Sequence, residues 1–280
     1  MKRFASGVTS LIIGCILLGF AESAVSSPKV VAIVTPDTLS VEQQRKFDYF
    51  YLEALRLKGE KKYSAAFDMM LHCQTINPQA PEAQYELGQY YLTLQKNTQS
   101  LSAFQAAVNA APQNYWYNQA LASFYMQQED STKATETFEL MAKRFPNRRD
   151  PLLSLFDLYT QQTNYPKIIR TLDRLEGVMG KNEQISMEKF KVYVQMNDNR
   201  KALNEIESLT KKYPQDNRYQ VLLADAYMQN NKKIEAYNIY NKVLAAEPDN
   251  SMALYSLANY YKVVGQKEKY ENQLSLFVLN

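Results

Sequence analysis

Glycine is scarce in this chain, with 8 in 280 residues, and so are cysteine (Cys15, Cys73), histidine (His72) and tryptophan (Trp116). Few glycines argue against a turn-rich β fold. One thiol lies inside an apolar N-terminal stretch, so removing that stretch leaves Cys73 alone and no intramolecular disulfide; stability must come from packing. His72 is followed by Cys73, but no Cys-x-x-Cys, His-Glu-x-x-His or second ligand pair accompanies them, so both read as structural and no metal site is expected. A glycine-rich phosphate loop and a Gly-x-Ser-x-Gly elbow are also missing, so nucleotide and serine-hydrolase chemistry have no motif and no cofactor is expected. The carboxylate pairs Glu136/Glu139 and Glu205/Glu207 read as solvated charge on helix faces, not as an acid–base pair. Basic residues number 32 against 29 acidic. The densest basic cluster, Lys143-Arg144 with Arg148-Arg149, is followed at once by Asp150, so no stripe for nucleic acid is expected.

The N-terminus has Lys2 and Arg3, an apolar run over 11–20, and small residues at Gly19, Ala21, Ser23 and Ala24. This is the pattern of an export signal, taken here as 1–23. Cleavage after Ala21 leaves 30 basic residues against 29 acidic, so the surplus positive charge belongs mostly to the signal. An alternative is lipidation at Cys15, because Ile12-Ile13-Gly14-Cys15 resembles a lipobox; against it, Ile16-Leu17-Leu18-Gly19-Phe20 continues apolar where a lipoprotein turns polar. A third is retention of the segment as a membrane tether, though it is short for a spanning helix. Residues 24–40 lack helical period and read as an extended tether; Ser40 then precedes Val41-Glu42-Gln43 as an N-cap.

From there the chain repeats. Tyrosine stands at 91, 125, 159, 193, 227 and 261, and proline at 78, 112, 146, 214 and 248, all in a period of 34. The solenoid expected over 41–280 divides into units 47–80, 81–114, 115–148, 149–182, 183–216, 217–250 and 251–280. Within the second, Leu87, Gly88, Tyr91, Ser100, Phe104, Ala107 and Pro112 occupy unit positions 7, 8, 11, 20, 24, 27 and 32. Those spacings share one helical face. Small residues at 8 and 20 permit close helix crossing, and the proline ends the second helix. A unit of this length cannot bury its apolar face alone, so neighbours must stack. The fourth unit departs: Phe156 and Ile168 fill the small positions, Gly180 replaces the proline, and Phe190 follows at position 8 of the fifth. Residues 149–190 are either an irregular joint between two halves or a local repacking.

These residues resemble the tetratricopeptide repeat, whose signature is Leu-Gly at 7 and 8, Tyr at 11, Ala at 20, Phe or Tyr at 24, Ala at 27 and Pro at 32. The resemblance covers residues 47–280. It implies an all-α, right-handed solenoid of about seven helix-turn-helix units and a non-catalytic scaffold that holds a peptide or protein partner in a concave groove. In that family positions 2, 5, 9 and 12 face the groove. Carried over, they give Tyr51, Tyr85 and Gln89 in the first two units, and Trp116, Gln119, Ser123 and Met126 in the third. The fourth and fifth supply Asp157 and Lys191, the sixth Arg218 and Asp225, the seventh Tyr255 and Asn259; Leu153, Met187, Val221, Met228 and Lys262 fall on the same positions. Tyr85 and Trp116 are the anchor candidates. The family's chaperone-binding members carry Lys and Asn at positions 5 and 9; here those read Tyr51/Leu55, Tyr85/Gln89 and Gln119/Ser123, so a chaperone tail is not the expected ligand.

The leading expectation is thus a scaffold of the bacterial periplasm or envelope. Two alternatives stand beside it: the N-terminal recognition arm of a larger enzyme or sensor continuing past Asn280, and a glycan or cell-wall binding module. The apolar end with Leu274, Leu276, Phe277, Val278 and Leu279 is expected either to continue into a missing part or to associate with another copy or a partner. Asp37-Thr38-Leu39 and Asp130-Ser131-Thr132 resemble a short O-glycosylation acceptor of exported proteins.

Overall fold

The computed structural model describes residues 39–279. The export signal, Cys15, the Asp37-Thr38 pair and nearly all of the 24–40 tether lie outside them. Fourteen helices and no strand are found among the described residues. They run α1 (Val41–Gly59), α2 (Tyr63–Ile76), α3 (Pro81–Thr93), α4 (Asn97–Ala110), α5 (Tyr115–Gln127), α6 (Ser131–Arg144) and α7 (Asp150–Gln161). Then follow α8 (Tyr165–Met179), α9 (Glu183–Gln195), α10 (Asn199–Lys212), α11 (Asn217–Gln229), α12 (Lys233–Ala246), α13 (Ser251–Val263) and α14 (Lys267–Leu279). Each odd helix packs on the even one after it, and each even one on the next unit's odd helix. The result is an all-α solenoid of seven helix pairs.

The 34-residue period is written into the backbone as well as the side chains. Lys61, Gln95, Glu129, Thr163, Asn197, Asn231 and Gly265, all at unit position 15, have φ between 54° and 78°. This left-handed residue ends the first helix of each pair. The amide following it closes the turn on the carbonyl of the residue at position 11: Asp130 N on Tyr125 O at 3.0 Å, Asn164 N on Tyr159 O at 2.9 Å, Lys232 N on Tyr227 O at 2.8 Å. That is the Schellman closure, which satisfies carbonyls a helix end otherwise leaves bare. The second helices α2, α4, α6, α10 and α12 each stop two residues before the repeated proline. In the fourth unit α8 runs to Met179 and stops at Gly180, whose φ is 77°.

Close crossing depends on the small positions. A Cβ added to Gly88 would sit 2.6 Å from two ring carbons of Phe104, and Ser100 Oγ donates to Gly88 O at 2.8 Å. Leu87, Phe104 and Ala107 are buried as the register requires. The fourth unit is a local repacking: Leu152, Leu155, Leu158, Tyr159, Ile168 and Leu172 belong to one apolar cluster that runs from Phe104 to Val192, with Phe156 packed against it. The fifth unit holds a surprise. Lys189 stands at position 7, where five of the other six units have leucine, is 5% exposed, and pairs with Asp173 at 2.7 Å and with Glu176.

The repeated tyrosines also bond across units. Tyr159 Oη donates to Glu139 Oε1 at 2.6 Å, Tyr227 Oη donates to Glu207 Oε1 at 3.1 Å, and Tyr125 Oη accepts from Gln105 Nε2 at 3.2 Å. Each partner lies 20 residues earlier, on the second helix of the preceding unit. Lys133, Lys167, Lys201 and Lys269, all at position 19, sit 4.8–5.6 Å from the ring centroids of Tyr125, Tyr159, Tyr193 and Tyr261. The expectation that Glu139, Glu205 and Glu207 are solvated is therefore corrected. Glu139 and Glu207 are half-buried acceptors for the neighbouring unit, and one oxygen of Glu205 is buried without a hydrogen bond, 3.9 Å from Lys181 Nζ. Glu136 is exposed as expected.

Candidate functional site

Odd helices carry the positions expected to face a ligand, and the later three of them are furrowed. A pocket of 290 Å³ between α9 and α11 is floored by Phe190, Val194, Leu222 and Ala226, with Lys191 and Asp225 at its sides. A second, of 610 Å³, shares Lys191 and Leu222 with it and reaches Met187, Arg218 and Met252. A third, of 410 Å³ over α11 to α13, shares Asp225 and Gln229 with the first and Met252 with the second, and adds Tyr255 and Asn259. The three are one continuous furrow. It gathers Lys191, Arg218, Asp225, Tyr255 and Asn259, all expected from the sequence.

The expected residues of the first four units line none of these pockets. Tyr51 is half-buried, its ring stacked 5.9 Å from Phe47, and burial with Glu86 and Glu82 nearby pushes its phenol up to about 12. Tyr85 is also half-buried, 5.1 Å from Tyr117 and 6.4 Å from Phe104, so its ring serves packing between units. Trp116 is 62% exposed on the first turn of α5, edge-on to Tyr115. Gln119 accepts from Tyr115 Oη at 3.3 Å and donates to Ser123 Oγ at 3.4 Å; Ser123, Met126 and Asp157 are exposed, and Gln89 is half-buried. Tyr85 and Trp116 thus differ in kind, one wedged into the stack and one open. Val221, placed on the groove face by its position, is fully buried and belongs to the core.

The charges of the furrow are sharply divided. Lys191 Nζ donates to Glu188 at 2.8 Å. Arg218 forms a forked pair with Asp216, the N-cap of its own helix, at 2.6 and 3.0 Å. Asp225 Oδ1 instead accepts from Tyr240 Oη at 2.6 Å. Burial raises the Asp225 carboxyl above the usual carboxylate range, although hydrogen bonds from Tyr240 and Ser256 pull the other way. Phe190 and Tyr240, which shape the furrow, are absent from the sequence-based expectation because their unit positions read as core, and Leu222 because its position 6 is neither a signature nor a groove position. No group of three or more His, Cys, Asp or Glu is placed to hold a metal ion among the described residues. His72 is exposed and stacked 4.8 Å from Phe50, and Cys73 is buried. In the Asp130–Thr132 stretch, Asp130 caps α6 through Lys133 N at 3.0 Å, and Ser131 and Thr132 are exposed. No described helix is long and apolar enough to cross a membrane.

A tetratricopeptide repeat family model matches residues 60–115, 85–149 and 187–251, leaving out most of the divergent fourth unit. No curated protein sequence matches the chain. Among solved structures, that of Naa15/Naa10 bound to HypK-THB is similar with a TM-score of 0.56 at 20% identity, over 79% of this chain and 35% of that one. A tetratricopeptide repeat protein from Parabacteroides merdae ATCC 43184 gives 0.47 at 16% identity, over 84% and 99%. YrrB, a repeat protein described as having an unusual peptide-binding site, gives 0.44 at 12% identity, over 67% and 96%.

Proposed function

The chain belongs to the tetratricopeptide repeat family, and from that premise we propose that it is an interaction scaffold whose furrow across α9, α11 and α13 holds an extended segment of a protein partner. The observation that carries this is the continuity of the furrow. Three adjoining pockets, joined through Lys191, Leu222, Asp225, Gln229 and Met252, give a track with apolar floor and polar sides. An apolar floor takes side chains out of water, and amides such as Gln195, Gln229 and Asn259 are suited to pair with an extended backbone. Binding is what the family's fold typically does; catalysis has no motif here to support it.

The test is a photoreactive residue at Met252, between two of the pockets, compared with one at Trp116. Cross-linking in cells should join Met252 to a protein partner, and Leu222→Lys should abolish that product while leaving helicity intact. A partner captured only from position 116, or capture undiminished by Leu222→Lys, would sink the furrow assignment.

The same reading puts the chain in the bacterial cell envelope. Lys2-Arg3, the apolar run and the small residues at 19–24 support it. The N-terminal residue of the protein recovered from cells decides: Glu22 or Ala24 agrees with cleavage, an acylated Cys15 with a lipid anchor, and an intact Met1 in the cytosol overturns the assignment.

A further inference from the structure

The end of the furrow over α11–α13 has a composition unlike the rest. Its pocket of 410 Å³ is bordered by the phenols of Tyr240, Tyr255 and Tyr260, by the thioether of Met252, and by one formal charge, Asp225. No lysine, arginine or histidine lines it. Asp225 takes a hydrogen from Tyr240 Oη at 2.6 Å, the Ser256 hydroxyl lines the same pocket, and no described cation is paired with it. The nearest basic residues of the furrow are otherwise engaged, Lys191 with Glu188 and Arg218 with Asp216.

A carboxylate taken out of water is costly unless it is both hydrogen-bonded and paired, and here only the first condition is met within the chain. What completes it must come from outside. Phenol faces beside a carboxylate suit an ammonium or guanidinium, which gains a charge-assisted hydrogen bond and a cation–π contact together. An anionic or purely apolar group would leave Asp225 half-buried and unpaired, so the same residues select against it.

We propose that this pocket takes a lysine or arginine side chain of the bound segment, paired with Asp225 and bordered by Tyr240, Tyr255 and Tyr260. The adjoining apolar pocket over Phe190 and Leu222 then receives an apolar neighbour, so the recognised segment pairs a basic residue with a hydrophobic one. This rests on the furrow reading but fails separately from it, since a partner cross-linked from Met252 can still ignore Asp225.

The experiment is an NMR titration of the full chain with N-acetyl-arginine methylamide, and with the citrulline counterpart, which keeps the shape and lacks the charge. The arginine probe should give saturable shifts at Asp225, Tyr240 and Ser256, with affinity roughly ten-fold above the citrulline probe. Asp225→Asn should bring the two probes level, while its unchanged helicity and spectrum elsewhere exclude misfolding. Equal affinity for both probes on the native chain, full binding to Asp225→Asn, or no saturable shift at those residues overturns the proposal.

Discussion

At the scale of single residues, Asp225 sets stability against the role proposed for it. Burial raises its carboxyl pKa, so the folded chain holds that proton more tightly than the unfolded chain does. A raised value means that the group favours the fold in acid, below its unfolded value, and that this contribution is lost as pH rises through the folded value. Other titratable groups bordering the same pockets are Tyr240 from α12, Tyr255 and Tyr260 from α13, and Lys191 from α9. Asp225→Asn keeps the shape and cannot ionise. It should melt above the parent at pH 7, with a gap that closes toward about pH 3, below the unfolded carboxyl's titration; a variant less stable at pH 7 would contradict the assignment. Thr163 offers a second test, because a β-branched residue is ill suited to its φ of 54°. The left-handed region costs a non-glycine residue about 1–2 kcal/mol, part of which glycine's extra chain entropy returns. Thr163→Gly should therefore stabilise by about 0.5–1 kcal/mol in urea unfolding, and a loss would mean that the turn is held by the threonine side chain.

At the scale of helices and their pairs, the crossing of α3 and α4 depends on an absent side chain. Phe104 is 2% exposed and has no room to retreat, so Gly88→Ala, with its Cβ at 2.6 Å from the ring, should cost about 1–3 kcal/mol despite the better helix propensity of alanine. A neutral or stabilising result would show that the helices separate freely. The α8–α9 contact gives an asymmetric expectation. Removing both Asp173 and Glu176 strands the Lys189 ammonium and should cost about 3–5 kcal/mol, whereas Lys189→Leu, which restores the residue its position carries elsewhere, should be near neutral. Equal losses from both changes would refute this. Much of this level was legible: Tyr at position 11, Pro at 32 and the small residues at 8 and 20 located the helices and turns. The turn geometry at position 15 was not, because Lys, Gln, Glu, Thr, Asn and Gly share a backbone conformation there without sharing chemistry. Lys189 was overlooked for a related reason, since a charge at a leucine position is readable only once its partners 13 and 16 residues earlier are brought alongside. The furrow was half legible. Family positions found Lys191, Arg218, Asp225, Tyr255 and Asn259, but they also put Val221 on the surface, and they left Phe190 and Tyr240 to the core when each also forms a pocket wall.

At the scale of the whole solenoid of residues 41–279, each unit meets only its neighbours, so damage is expected to stay near where it is done. Leu172 is 2% exposed within the fourth unit. Leu172→Ala should cost about 2–5 kcal/mol of local stability. Hydrogen exchange should quicken in α6 to α9 and change little in α1, α2, α13 and α14; an equal loss of protection in every helix would mean that the array opens as one body. The tyrosines at unit junctions would record such openings chemically. Burial and the acceptor Glu139 both hold the Tyr159 phenol well above its ordinary pKa. Nitrating reagents consume phenolate, so they would spare Tyr159 while the third and fourth units are joined and colour it yellow when they part, whereas Tyr49, 65% exposed on α1, is open to them throughout.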